Sequence, residues 1–92
     1  MRFKFDHKKS AKLRRNPNRR IGFEEAERIF QQQYYLDTRL DNPKQFRAIG
    51  VVNERLYSLV FEIRQDEVGE YYHLITLWQA TREEQMLYEE NL

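Results

Sequence analysis

The sequence predicts an α+β fold: an antiparallel sheet of about four strands, plus a short N-terminal strand, with two N-terminal helices and a C-terminal helix. Three observations carry this. Residues 46–52, 56–64 and 71–78 are rich in β-branched and aromatic side chains, and hairpin-length connections between them make neighbouring strands antiparallel. Residues 23–32 repeat apolar side chains at helical spacing. Thr81-Arg82-Glu83-Glu84 has the form of a capping box ahead of a last helix. Such a sheet must be covered by helices on one face, and 92 residues supply a single domain with one core, carrying a basic arm over 1–20.

The elements follow in order. Arg2-Phe3-Lys4-Phe5 alternates cation and ring with period two and reads as a short strand. Asp6 can cap the turn that follows. Residues 8–15 have helix-forming content, and Asn16-Pro17-Asn18 ends that segment, because a residue before proline is biased away from the α region. After Gly22, the side chains Phe23, Ala26, Ile29 and Phe30 share a helical face. Acids open this segment, where the macrodipole favours them, so a helix is expected from Phe23 to about Gln32.

Tyr34-Tyr35-Leu36 is a short strand, and Asp41-Asn42-Pro43 a turn. Phe46–Val52 is a strand in which Gly50 suggests a bulge. Asn53-Glu54-Arg55 reads as a three-residue hairpin loop into Leu56–Arg64. In that strand Tyr57, Leu59, Phe61 and Ile63 share a face. Asp66–Gly69 turns the chain into Tyr71–Trp78. There, strict alternation sets Tyr72, Leu74, Thr76 and Trp78 against Tyr71, His73, Ile75 and Leu77. The closing helix runs from Arg82 to about Glu90, with Met86 and Leu87, joined by Tyr88, on its buried side.

Composition removes several classes of chemistry. The chain has no cysteine, so disulfides, thiol nucleophiles and thiolate metal sites are absent together. His7 and His73 are far apart in sequence, so neither a metal nor another cofactor is expected. Mean hydropathy is −0.93, and no apolar run approaches the ~18–20 residues of a membrane span. No apolar core of a signal peptide follows the basic N-terminus, so the expected location is the cytoplasm and no membrane partner is expected. There is no glycine-rich phosphate loop and no His-x-x-x-His pair.

The net charge of +1 conceals an asymmetry. Residues 1–20 carry nine bases and one acid, a local +8, and residues 21–92 carry −7. A basic arm held on one face attracts phosphate or an acidic protein. An arm folded over the acidic remainder neutralises itself. Both arrangements are open to the sequence.

Several strings together resemble the BrnT family of bacterial toxins. An opening Phe3-Lys4-Phe5-Asp6 and a basic segment precede Phe23-Glu24-Glu25-Ala26. The central Gln45-Phe46-Arg47-Ala48-Ile49-Gly50 is similar to that family's arginine-bearing strand. Ile75-Thr76-Leu77-Trp78-Gln79-Ala80-Thr81-Arg82-Glu83-Glu84, followed by Tyr88-Glu89, is similar to its closing segment. The match keeps its order over nearly the whole chain. It implies a RelE-like fold, an mRNA-cleaving toxin activity, and neutralisation by a small BrnA-like antitoxin encoded nearby. RNA is a second partner, and a homodimer stays open. Two family residues are replaced. Asn18-Arg19-Arg20-Ile21-Gly22 stands where the family has Lys-His-Gly, and Thr76-Leu77-Trp78 stands where it has Ser-Ala-Arg. The enzyme assignment is therefore open, with a degenerate member that binds protein or RNA as the alternative. A plain nucleic-acid-binding domain using the basic arm is the third reading.

RelE-like ribonucleases need no metal, because the ribose 2′-hydroxyl is the nucleophile. The protein must accept its proton, stabilise charge on the phosphoryl oxygens and allow the 5′-oxygen to leave. Guanidinium groups suit the phosphoryl oxygens, and a histidine suits the proton. The candidate catalytic residues are Arg47, from the family's arginine strand, Arg82, and His73. Lys8, Lys9, Arg19 and Arg20 are candidate phosphate contacts, and Trp78 a candidate base-stacking platform. Each has a plainer alternative: Arg47 paired to Glu62 across the sheet, Arg82 in a tertiary salt bridge, His73 half-buried and bonded to backbone, Trp78 in the core.

Overall fold

A computed structural model describes residues 1–92. The order is β1 (Arg2–Lys4), α1 (His7–Arg15), α2 (Phe23–Ala26), a 3₁₀ segment (Glu27–Gln31), β2 (Tyr35–Asp41), β3 (Lys44–Val52), β4 (Arg55–Gln65), β5 (Glu70–Gln79) and α3 (Arg82–Glu90). The strands make one sheet in the order β1-β5-β4-β3-β2. β2 to β5 are antiparallel neighbours, while β1 adds in parallel to β5, which makes the sheet mixed. No helix is long and apolar enough to cross a membrane.

One face of the sheet carries the core. Ala48, Tyr57, Leu59, Phe61, Leu74 and Leu77 lie against Leu13, Ile21, Phe23, Ala26 and Ile29 from the helical layer. The aromatic content is used here. Phe30 meets Tyr34, Phe61 and Tyr72 at ring-centroid separations of 5.2 Å, all edge-on, and Phe3 stacks on Phe30 at 5.5 Å. These are favourable quadrupole geometries in addition to apolar burial.

Local chemistry fixes the helical layer. Asp6 Oδ1 accepts from the Lys8 and Lys9 amides, satisfying donors that open α1. Lys12, Arg14 and Arg15 lie in its last turn, where cations suit the dipole. Buried Ser10 on α1 accepts from the Phe23 amide at 2.8 Å, which ties the start of α2 to α1. The expected helix from Phe23 to Gln32 gives way after Ala26 to 3₁₀ geometry. Phe23, Ala26 and Ile29 are all fully buried. Their strict spacing of three lines up in a helix with three residues per turn, whereas in an α-helix the row would drift.

The strands depart from the sequence expectation in four ways. β2 is longer than Tyr34–Leu36, because pairing with β3 continues to Asp41↔Lys44. Gly50 makes no bulge: it pairs regularly with Tyr57, and its missing side chain admits Ile29, whose Cγ2 would lie 2.9 Å from an added Cβ. The β3–β4 connection has two residues, Asn53 and Glu54, not three. Both have positive φ (51° and 67°), the conformation a tight hairpin requires. Finally, the register slips between Val60 and Phe61, so that Thr76 and Leu74 face them and Ile75 is the extra residue of a bulge in β5. The bulge turns Leu77 and Leu74 to the same, core-facing side, which strict alternation had separated.

Gly22 caps α2 at a tight contact with α1. An added Cβ would lie 2.6 Å from Arg14 Nη2 and 2.9 Å from the Ser10 carbonyl oxygen, besides meeting Ser10 Oγ. Gly22→Ala is expected to lower stability by about 1–3 kcal/mol, read as a lowered urea midpoint with an unchanged slope. An unchanged midpoint would show that the junction yields without cost.

Candidate functional site

The second face of the sheet is polar. It presents Asp37 from β2, Arg47 from β3, Ser58, Val60 and Glu62 from β4, and His73, Thr76 and Trp78 from β5, as the strand register dictates. The end of the sheet bearing the Asn53–Glu54 turn is called lower here, and the end bearing Asp66 upper. α3 leaves the lower end of β5 and lies over the lower half of this face, against β3. The upper half is uncovered by any helix.

Under α3, Arg47 is held from two sides. Its Nε donates to Asp37 Oδ1 at 3.0 Å and its Nη2 to Asp37 Oδ2, a bidentate pair across neighbouring strands. Its Nη1 donates to Glu84 Oε2 at 3.2 Å. The partner is thus Asp37 with Glu84, not Glu62. Trp78 Nε1 and the Thr81 amide each donate to Glu84 Oε1 at 2.9 Å. The Thr81 hydroxyl accepts from the Glu84 amide, completing the capping box. Ser58 Oγ, fully buried, lies close enough to help keep Glu84 ionised but makes no well-formed hydrogen bond. Burial pushes the Glu84 carboxyl up. The Thr81 amide, the Trp78 indole, Ser58 and Arg47 together more than reverse this and hold it below the usual glutamate range. Met86 and Leu87, expected on the buried side of this helix, are half-exposed or half-buried, and the buried residue is Glu84.

Above α3 the network continues into the open half. The Arg39 guanidinium lies 5.7 Å from the centre of the Trp78 ring and donates to Gln45 Oε1. Gln45 Nε2 donates to Glu62 Oε2 at 3.0 Å, and Arg64 Nε to Glu62 Oε1 at 2.9 Å. His73 faces Glu62 on one side and Lys4 on the other. Burial, then the Arg64 charge, lowers the His73 pKa against the opposing pull of Glu62, so the neutral imidazole dominates at pH 7. Lys4 lies over the Tyr71 ring at 4.3 Å and pairs with Asp66 at 2.7 Å, a carboxylate shared with Arg2.

The sequence candidates separate into groups. Arg47, Trp78 and His73 share the polar face. Arg82 is exposed in the first turn of α3. Lys8 and Lys9 are exposed on α1, in the layer behind the opposite face. Arg19 and Arg20 lie at the lower end, where the Arg19 carbonyl accepts from the Tyr57 hydroxyl at 2.6 Å and Arg19 Nε donates to the Leu77 carbonyl. The basic arm therefore does not form one face. Arg2 and Lys4 are spent on Asp66, and Arg14 on Glu24 and Glu25. Sequence reasoning missed Glu84, Asp37 and Arg39. Glu84 was visible as the reciprocal member of the capping box, but its second duty toward Arg47 depends on where the helix crosses the sheet. No group of three or more His, Asp or Glu side chains is arranged to hold a metal ion.

Two expected outcomes follow from this network. Arg47→Ala leaves Asp37 and Glu84 facing one another without their cation and should destabilise the fold by about 3 kcal/mol, measured by urea unfolding. A change within experimental error would mean the carboxylates find other partners. Glu84 has a lowered folded pKa, so its contribution is complete above the ordinary glutamate value of about 4.3 and is lost as pH falls through the folded value. Trp78, the single tryptophan, should report this as a fluorescence change below about pH 4, and Glu84→Gln should remove the step.

No protein-family model matches the chain, and no curated protein matches it.

Proposed function

We propose that the protein is the RNA-directed toxin of a toxin–antitoxin pair, with a metal-independent ribonuclease site on the open half of the polar sheet face. The observation that carries this reading is the placement of His73 on that face, between Lys4 and Glu62 and beside Arg64, with burial lowering its pKa. A neutral imidazole can take the proton of a ribose 2′-hydroxyl. The 2′-oxygen then attacks the adjacent phosphorus, the bond to the 5′-oxygen breaks, and that oxygen takes a proton from solvent, leaving a 2′,3′-cyclic phosphate. Fixed cations beside the phosphate stabilise the charge that develops on its oxygens. The resemblance to the BrnT family suggests the reaction type and the protein partner, a small antitoxin.

One observation favours a second reading, a module that binds RNA or protein without turnover. Arg47, the residue aligned with the family's arginine, is engaged by Asp37 and Glu84. The two readings differ in product. Purified protein should cleave single-stranded RNA, and His73→Ala should lower the rate by at least about 100-fold. The rate should rise on a limb centred below the ordinary histidine value of about 6.5 and be flat above it, as a base with a lowered pKa requires. Cleavage unaffected by His73→Ala would remove the ribonuclease site from this face. Binding without cleavage, weakening with salt by a slope of about 0.7 per neutralised phosphate, would select the second reading.

A further inference from the structure

The helix α3 is attached in an unusual way. Its one buried residue is the carboxylate Glu84, while Met86 stays 50% exposed and Leu87 and Tyr88 are only half-buried. Apolar burial normally holds a short helix to a sheet. Here a single negative charge, seated on a guanidinium and an indole N–H, takes that part.

What Glu84 occupies is itself informative. Arg47 offers Nη1 to an anion while Asp37 grips Nε and Nη2, so the guanidinium stays oriented whether or not Glu84 is present. Trp78 lies alongside, with the Arg39 guanidinium over its ring. An oriented guanidinium beside an aromatic ring suits one nucleotide: phosphate on Arg47, base against Trp78. The Glu84 carboxylate stands where the phosphate would.

We infer that Arg47 and Trp78 form a masked nucleotide subsite, filled in the free protein by Glu84 and opened when α3 lifts from the sheet. This rests on the RNA-directed reading above and adds to it a self-inhibiting contact. RNA and α3 compete for the same guanidinium, so the apparent RNA affinity is reduced by the fraction of molecules in which α3 is lifted.

The test uses the full chain, a short single-stranded oligouridylate, and Trp78 fluorescence, which reports only this site because no other tryptophan is present. Binding should quench Trp78 and raise amide hydrogen exchange along residues 82–90. Glu84→Gln, which keeps the size and removes the charge, should bind about tenfold more tightly, and adding Arg47→Ala to it should abolish the gain. A folded Glu84→Gln variant that binds no tighter overturns the proposal. If that variant does not fold, exchange in the wild-type chain decides: RNA bound with residues 82–90 still protected overturns it, and protection lost on binding supports it. Binding that leaves α3 in place would remove the masked subsite yet leave the His73 reading standing. Absence of RNA binding by both wild type and Glu84→Gln would remove both.

Discussion

The charged hydrogen-bond cluster of Arg47, Asp37, Glu84 and Trp78 decides how the second layer of this protein is built. Removing a carboxylate from water is costly, and its attraction to one cation seldom offsets that cost. Glu84 succeeds because four groups converge on it: an amide from its own cap, an indole, a hydroxyl and a guanidinium. Two of these come from residues just before the helix and in its cap, so the helix terminus and its attachment to the sheet are the same set of bonds. The capping box that starts α3 also aims Glu84 at Arg47. This makes the orientation of α3 specific, and it makes its attachment dependent on ionisation in a way that a leucine contact would not be.

The bulge at Ile75 is the second constraint. Without it, Leu77 and Leu74 would fall on opposite faces, and one of them would replace a polar group on the face where His73 and Trp78 now lie. The extra residue lets β5 present two leucines to the core, then resume alternation so that His73 stands opposite Glu62. Bulges concentrate where a strand must redirect side chains. In this sheet the redirection separates an apolar face, closed by α1, α2 and the 3₁₀ segment, from a polar face only half closed by α3.

Most of the architecture was legible because it depends on local pattern. The caps at Asp6 and Thr81, the three-residue spacing of Phe23, Ala26 and Ile29, and the long strands of β4 and β5 all write themselves in a few adjacent residues. The features that were not legible depend on long-range geometry. A bulge changes the parity of a strand without any glycine to announce it: Gly50 suggested one and serves a helix contact, whereas Ile75 forms one with a β-branched side chain. The burial of Glu84 was invisible for the same reason, since a capping-box glutamate ordinarily faces solvent. Among the site candidates, the strand residues Arg47, His73 and Trp78 came together because all three lie on central strands. The basic arm did not, because its turn at Pro17 carries Arg19 and Arg20 to the far end of the sheet from Arg2 and Lys4.

The distribution of paired and unpaired charge narrows what the polar face can do. Where a cation is fixed by a carboxylate on a neighbouring strand, as Arg47 is by Asp37, its direction is set and its long-range field is largely cancelled. Such a residue recognises an anion at contact distance and draws nothing from afar. Long-range attraction is left to cations without carboxylate partners; apart from Arg39 beside Trp78, those among the sequence candidates lie off the face: Lys8 and Lys9 on α1, Arg19 and Arg20 at the lower end, Arg82 at the start of α3. Long-range attraction and recognition at contact therefore fall to different residues. The scattering of those cations leaves no single phosphate-attracting face, and several bases of the arm are matched by internal carboxylates. On the sheet itself, anion-binding geometry is concentrated in the few groups under α3, where the Glu84 carboxylate shows how an anion fits between Arg47 and Trp78.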